Sequence, residues 1–187
     1  HSLAFALLRQ SSEEELRLIT GAEQDAVIRE LLQGHAADGR GAWPEEMRPA
    51  LEYVGFARQL RDLLLRAIER GLGPTELEEL GERHARPMWT AAGEFLREYE
   101  RTQALAGSHS YSAAELVSQV LLRPELLREH PWHTIVVDDA QLLDPTSGQL
   151  IAELAKTARL TVIGGDPDQA VFAFRGACLL YTSDAAD

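Results

Sequence analysis

Apolar residues recur at helical spacing through most of this chain and gather into short continuous runs only near its end. His1 to Gln10 is apolar with a mostly helical pattern, Ser11 to Glu15 is a polar linker, and Leu16 to Ile19 fits a short extended piece. Thr20 and Glu23 form a T-x-x-E capping box. The helix it opens is expected to run to about Gln33 and stop at Gly34, with Val27, Ile28, Leu31 and Leu32 on its apolar face. His35 to Trp43 reads as a Gly-rich loop, and Pro44 suits a helix N1 position. Phe56, Leu60, Leu63, Leu64, Ala67 and Ile68 mark the next helix, which stops at Gly71. Gly73-Pro74-Thr75 restarts a short one, and a further helix is predicted from Pro87 to about Leu105, before a loop over Gly107 to Ser110.

The pattern then changes. Ser112 and Glu115 form a second capping box for a helix to about Leu122, and Pro124 and Pro131 punctuate the stretch before the first strand. Thr134 to Val137 is that strand, a continuous apolar run. Pro145 to Ala158 is a helix with Leu150, Ile151, Leu154 and Ala155 inward, and Leu160 to Gly164 is a second strand. A strand, a helix and a strand of these lengths predict a parallel βαβ unit with a right-handed crossover. The fold class is therefore α/β, with the helical middle inserted into, or appended to, the α/β part. No internal repeat is visible.

Composition narrows the function. The chain has 187 residues and a formal charge of −12, which excludes a blanket polyanion binder; any nucleic-acid contact must be local. An apolar fraction of 45% is enough to bury a core. No apolar run approaches the roughly 20 residues of a membrane helix, and no signal-peptide pattern opens the chain. Lys156 is the only lysine, an arginine bias typical of GC-rich genomes. Cys178 is the only cysteine, so no disulfide forms within the chain, and His84, His109, His130 and His133 lack metal-ligand spacing. The chain starts at His1 rather than Met. Its last ten residues, Cys178 to Asp187, resemble codon for codon the translation of a transposase-type sequencing adapter. The native sequence is therefore expected to end at Ala177, with truncation at both ends.

Two stretches carry chemistry. Ile135-Val136-Val137-Asp138-Asp139-Ala140-Gln141 is an apolar strand ending in two carboxylates, the way open α/β sheets present groups to a ligand. Two acids that merely cap the following turn are the plain alternative. A response-regulator receiver also ends its first strand in an acid pair, but it requires a later phosphoacceptor Asp and a Lys in places this chain does not supply. The second stretch comes after the second strand: Gly165-Asp166-Pro167-Asp168-Gln169-Ala170-Val171-Phe172-Ala173-Phe174-Arg175-Gly176-Ala177. Phe172 and Phe174 fall two apart with Arg175 beside them. Aromatic faces stack on bases without sequence preference, though a single Phe in such a place is more often core. Trp43, Trp89 and Trp132 fit core or half-buried packing.

Together these stretches resemble motifs II and III of the UvrD/Rep family of DNA helicases, and His1-Ser2-Leu3-Ala4-Phe5 resembles the tail of its T-x-H-S-x-x motif. The resemblance implies a partial RecA-like ATPase domain over 1–18 and 111–177, an all-helical insertion subdomain over 19–110, and an artefactual tail over 178–187. It implies ATP and Mg²⁺ as cofactors: Asp138 on the metal, Asp139 on the attacking water, and Gln169 as sensor of the γ-phosphate, with Gln141 matching the D-E-x-Q pattern beside the nucleotide. It places His1, Phe172, Phe174 and Arg175 on single-stranded or duplex DNA. The family has Glu where this chain has Asp139, and Tyr and Trp where it has the two Phe. The motif style is similar to actinobacterial UvrD-like motors such as the AdnA-type subunit of the AdnAB helicase–nuclease, which implies a cytoplasmic bacterial protein, an ATP-driven 3′-to-5′ translocase in repair or end processing, and a second helicase–nuclease subunit as partner. No G-x-x-x-x-G-K-[ST] occurs in the 187 residues, so this stretch is expected to be inactive alone. A non-catalytic DNA-binding or scaffolding subunit is the other class of function that fits.

Overall fold

The computed structural model of the chain describes residues 1–11, 16–105, 110–129 and 131–169. In chain order the elements are α1 (Ser2–Ser11), β1 (Arg17–Leu18), α2 (Gly21–Asp38), α3 (Val54–Glu69), α4 (Pro74–Arg83), α5 (Pro87–Leu105), β2 (Ser110–Tyr111), α6 (Ala113–Leu121), α7 (Pro124–Glu129), β3 (Thr134–Val137), α8 (Pro145–Ala155) and β4 (Leu160–Ile163). Three 3₁₀ segments, Glu45–Ala50, Ala140–Leu142 and Pro167–Gln169, complete the described secondary structure. The chain divides into two compact units: His1–Glu14, Glu69–Gly71 and Ala113–Asp187 in one, Glu15–Ile68 and Leu72–Ser112 in the other.

In the first unit β3 and β4 pair in parallel, with Val136 opposite Val162 and Val137 opposite Ile163. The helix between them starts where Asp144 accepts the Ser147 N–H at 2.9 Å and Pro145 takes an early position that needs no donor. It ends at Ala155, three residues short of the predicted Ala158, because the Thr157 and Ala158 N–H groups both turn back to the Leu154 carbonyl. The second strand likewise ends at Ile163 rather than Gly164. α1 packs on α6 and α7, and α6 packs on α8. These helices bury Ala4, Leu7 and Leu8, then Leu116, Val117 and Val120, then Leu150 and Leu154. The sheet is far less covered: among the described residues Val136 is 71% exposed, and Leu160, Val162 and Ile163 are exposed too.

The second unit is helical, apart from a two-residue parallel pairing of β1 with β2. The Thr20–Glu23 capping box opens α2 as expected. The helix does not stop at Gly34. It runs through His35 to Asp38 and closes at Gly39, whose φ of 64° supplies the left-handed cap. A glycine ends a helix only where the chain needs that conformation; Gly34 stays in the interior, at a modest cost. Pro44 precedes a 3₁₀ segment instead of opening an α-helix. The core gathers around Trp43, with Phe56 and Phe95 at ring-centroid distances of 5.6 and 5.7 Å. His35, 3% exposed, accepts the Trp43 indole N–H at Nδ1 (2.8 Å), and its Nε2 lies 2.6 Å from Glu98 Oε2. An indole only donates, so the imidazole proton sits on Nε2 and points to Glu98. α4 and α5 pack closely, with Arg97 bound to Glu78.

Candidate active site

β3 buries Val137 and then emerges, leaving Asp138 and Asp139 exposed at its carboxyl end. The turn after β3 is laced to the turn after β4. Gly164 N–H donates to the Val137 carbonyl at 2.8 Å, and Ala140 N–H donates to the Gly164 carbonyl at 2.9 Å. Asp139 adopts φ 54° and ψ 40°, a left-handed conformation that Asp tolerates better than most residues. Its own N–H donates to Asp138 Oδ1 at 2.9 Å.

Gln141 comes next in the site, with 2% exposure. Its Nε2 donates to Asp139 Oδ1 at 3.1 Å, and its Oε1 accepts the Asp166 N–H at 3.1 Å. Gly165 makes this possible: a Cβ there would lie 2.8 Å from Gln141 Oε1. Asp166 then closes its own turn. Its Oδ1 accepts the Asp168 N–H at 3.0 Å, and its Oδ2 accepts the Gln169 side-chain amide at 2.8 Å. The structure thus brings Asp138, Asp139, Gln141 and Gln169 into one connected set. His1 makes none of these bonds: exposed, it opens α1 through its carbonyl, which accepts the Phe5 N–H at 2.9 Å. Phe172, Phe174 and Arg175, and the tail from Cys178, lie outside the described residues.

Asp166 is the residue that motif reading left without a role. The signal was present in Asp166-Pro167-Asp168, since Asp before Pro favours a side-chain-closed turn. The donor set suits a hard cation that keeps most of its own water. Two exposed carboxylates adjoin, and each has one oxygen without a hydrogen bond among the described residues. Mg²⁺ characteristically takes one or two protein carboxylates and completes its shell with phosphate and water. No group of three potential metal-ligating side chains occurs among the described residues, so these acids alone form no closed metal cage.

Paired acids thus stand at the carboxyl end of a parallel strand and are tied to the turn after its neighbour. The family model for the UvrD/REP helicase N-terminal domain matches residues 1–185, and the chain belongs to that helicase family. No curated protein matches it. Among the described residues no helix is long and apolar enough to cross a membrane.

Proposed function

We propose that this chain is part of the first motor domain of an ATP-dependent 3′-to-5′ DNA helicase or translocase that acts in DNA repair or end processing. The observation that carries this reading is the connected edge from Asp138 to Gln169, seated on a family match that spans most of the chain. Asp138 is assigned to Mg²⁺, Asp139 to the orientation of the attacking water, and Gln169 to the γ-phosphate. Bound ATP and Mg²⁺ would supply the phosphoryl group and the charge that stabilises its transfer. His1, Phe172, Phe174 and Arg175 are assigned to DNA. Residues 1–18 and 111–177 are proposed as RecA-like, 19–110 as the inserted helical subdomain, and 178–187 as foreign to the fold. The open apolar face of β3 and β4 supports a larger sheet around them, since a two-stranded parallel sheet is too small to stand alone. The missing phosphate-cradle motif makes the 187 residues inactive by themselves. The motif style favours a cytoplasmic bacterial AdnA-type motor working beside a second helicase–nuclease subunit.

A second reading, a DNA-binding subunit without turnover, draws on one observation: Asp139 is a methylene shorter than the family's Glu. DNA-stimulated ATPase of the complete motor that carries this domain tests both. The helicase reading expects turnover that Asp138→Ala removes and that Asp139→Glu preserves or raises. A motor with no turnover, unrestored by Asp139→Glu, supports the scaffold instead.

A further inference from the structure

We infer that Gln141 is a positioning residue: its buried amide orients the Asp139 carboxylate and yokes it, through Asp166, to the loop that carries Gln169. This rests on the proposed nucleotide site and gives Gln141 a role through its neighbours, not by contact with nucleotide. The amide has no choice of orientation. A backbone N–H only donates, so the group facing Asp166 N–H is Oε1, and the NH₂ must face Asp139. At 2% exposure no water replaces either bond cheaply.

The consequence falls on Asp139. With Oδ1 engaged by Gln141, Oδ2 is the oxygen with both acceptor sites open to a water, and the carboxylate cannot swing freely. Asp166 shares the restraint. Its N–H holds Gln141 while its carboxylate holds the Gln169 amide. A Gln169 that turns the bonded N–H to a phosphate leaves Asp166, and whatever then moves Asp166 pulls on Gln141 and Asp139. Gly165 keeps the passage open between them.

The test uses Gln141→Ala, Gln141→Glu and Gly165→Ala in the complete motor, with Asp138→Ala as control and circular dichroism to verify folding. Gln141→Ala should lower kcat by on the order of 10–100-fold while leaving KM for ATP nearly unchanged. Gly165→Ala should do the same without altering any polar side chain. Gln141→Glu keeps the acceptor for Asp166 but sets a carboxylate against Asp139. Its kcat should therefore be low at neutral pH and recover as pH falls, when a protonated Glu donates again. A Gln141→Glu defect that is flat with pH, or wild-type kcat in Gln141→Ala beside a dead Asp138→Ala, overturns the inference and leaves the helicase reading standing. Full turnover in Asp138→Ala overturns the reading itself. A readout independent of turnover comes from the complete motor with its glutamine side chains nitrogen-labelled: Asp139→Ala should shift the Gln141 side-chain amide resonances and speed their solvent exchange. Unchanged resonances would refute the bond.

Discussion

Gln141 and His35 are buried almost equally, at 2% and 3% exposure, and each holds a carboxylate with one end of its side chain. Their other ends differ. His35 turns its second nitrogen into aromatic surroundings, to the Trp43 indole, with the Phe95 ring 5.6 Å away. Gln141 turns its carbonyl to the backbone of a neighbouring turn, and the acids around it are open to solvent. A buried polar group set among rings satisfies and specifies a core. A buried polar group set under exposed acids fixes a carboxylate where solvent reaches it. Burial alone does not separate the two, and neither does the exposure of the acid, since the Glu98 side chain is itself 35% exposed; the second partner does, an indole in one case and the backbone of the neighbouring turn in the other.

The largest expected effects test that separation directly. Asp138→Ala should abolish DNA-stimulated ATPase of the complete motor, because the acid assigned to the metal is gone, while circular dichroism of the motor stays as in wild type. Removing the core partner should do the reverse. Trp43→Ala deletes a 4% exposed indole at the centre of its unit and should cost about 3–5 kcal/mol in chemical denaturation. Trp43→Phe keeps most of the ring and should cost only about 1–3 kcal/mol, because it leaves His35 Nδ1 buried without a donor. In a motor still folded at the assay temperature, neither substitution should change kcat. A kcat loss in folded Trp43→Phe would erase the distinction between the two buried polar residues.

How much of this was legible in the sequence depends on the range of each cause. The parallel pairing of Thr134–Val137 with Leu160–Ile163 is foreshadowed by two apolar runs and the helix between them. The bounds of α5, Pro87 to Leu105, are set by local punctuation in the same way. The acid pair and the G-D-P-D-Q stretch stand out because strand ends and turns have short-range signatures. The features that escape the sequence are set at long range. His35 reads as part of a loop because Gly34 looks like a helix stop, and the Glu98 that accepts its Nε2–H lies 63 positions away. The path from Asp139 through Gln141 to Asp166 spans 25 positions at its longer step, and no pattern along the chain announces it. The left-handed backbone at Asp139 is equally silent, since Asp occupies many conformations and only the lacing of the two turns selects this one.

The comparison extends to ring chemistry. Trp43 is assigned to the fold, whereas Phe174 is proposed to stack on DNA. Phe174→Ala in the complete motor should weaken single-strand binding by about 1–3 kcal/mol, measured by fluorescence anisotropy, with basal ATPase mostly retained. A loss of thermal stability without a specific DNA defect would move Phe174 into the same class as Trp43.

The smallest effect concerns the start of the helix that carries His35. At the N-terminus of α2, Thr20 N–H donates to Glu23 Oε2 at 2.7 Å, and Glu23 N–H returns a bond to Thr20 Oγ at 3.3 Å. The bond from the Thr20 backbone, then that from its hydroxyl, and a weaker attraction to Arg17 hold the Glu23 carboxyl below its ordinary 4.5, against a small opposing effect of desolvation. A depressed acid contributes stability that is fully present above its unfolded value and is lost as pH falls through the folded one. Acidification below about 4.5 should therefore fray the first turn of α2, read as faster amide exchange at Glu23 and Gln24, and Glu23→Gln should flatten that response. The Trp43 indole N–H resonance should not track the fraying, because the cap acts within the first turn. If the indole signal shifts with the cap in wild type and stays still in Glu23→Gln, the aromatic cluster is coupled to an exposed acid after all. His35 would then resemble Gln141, and the contrast between them would be one of degree.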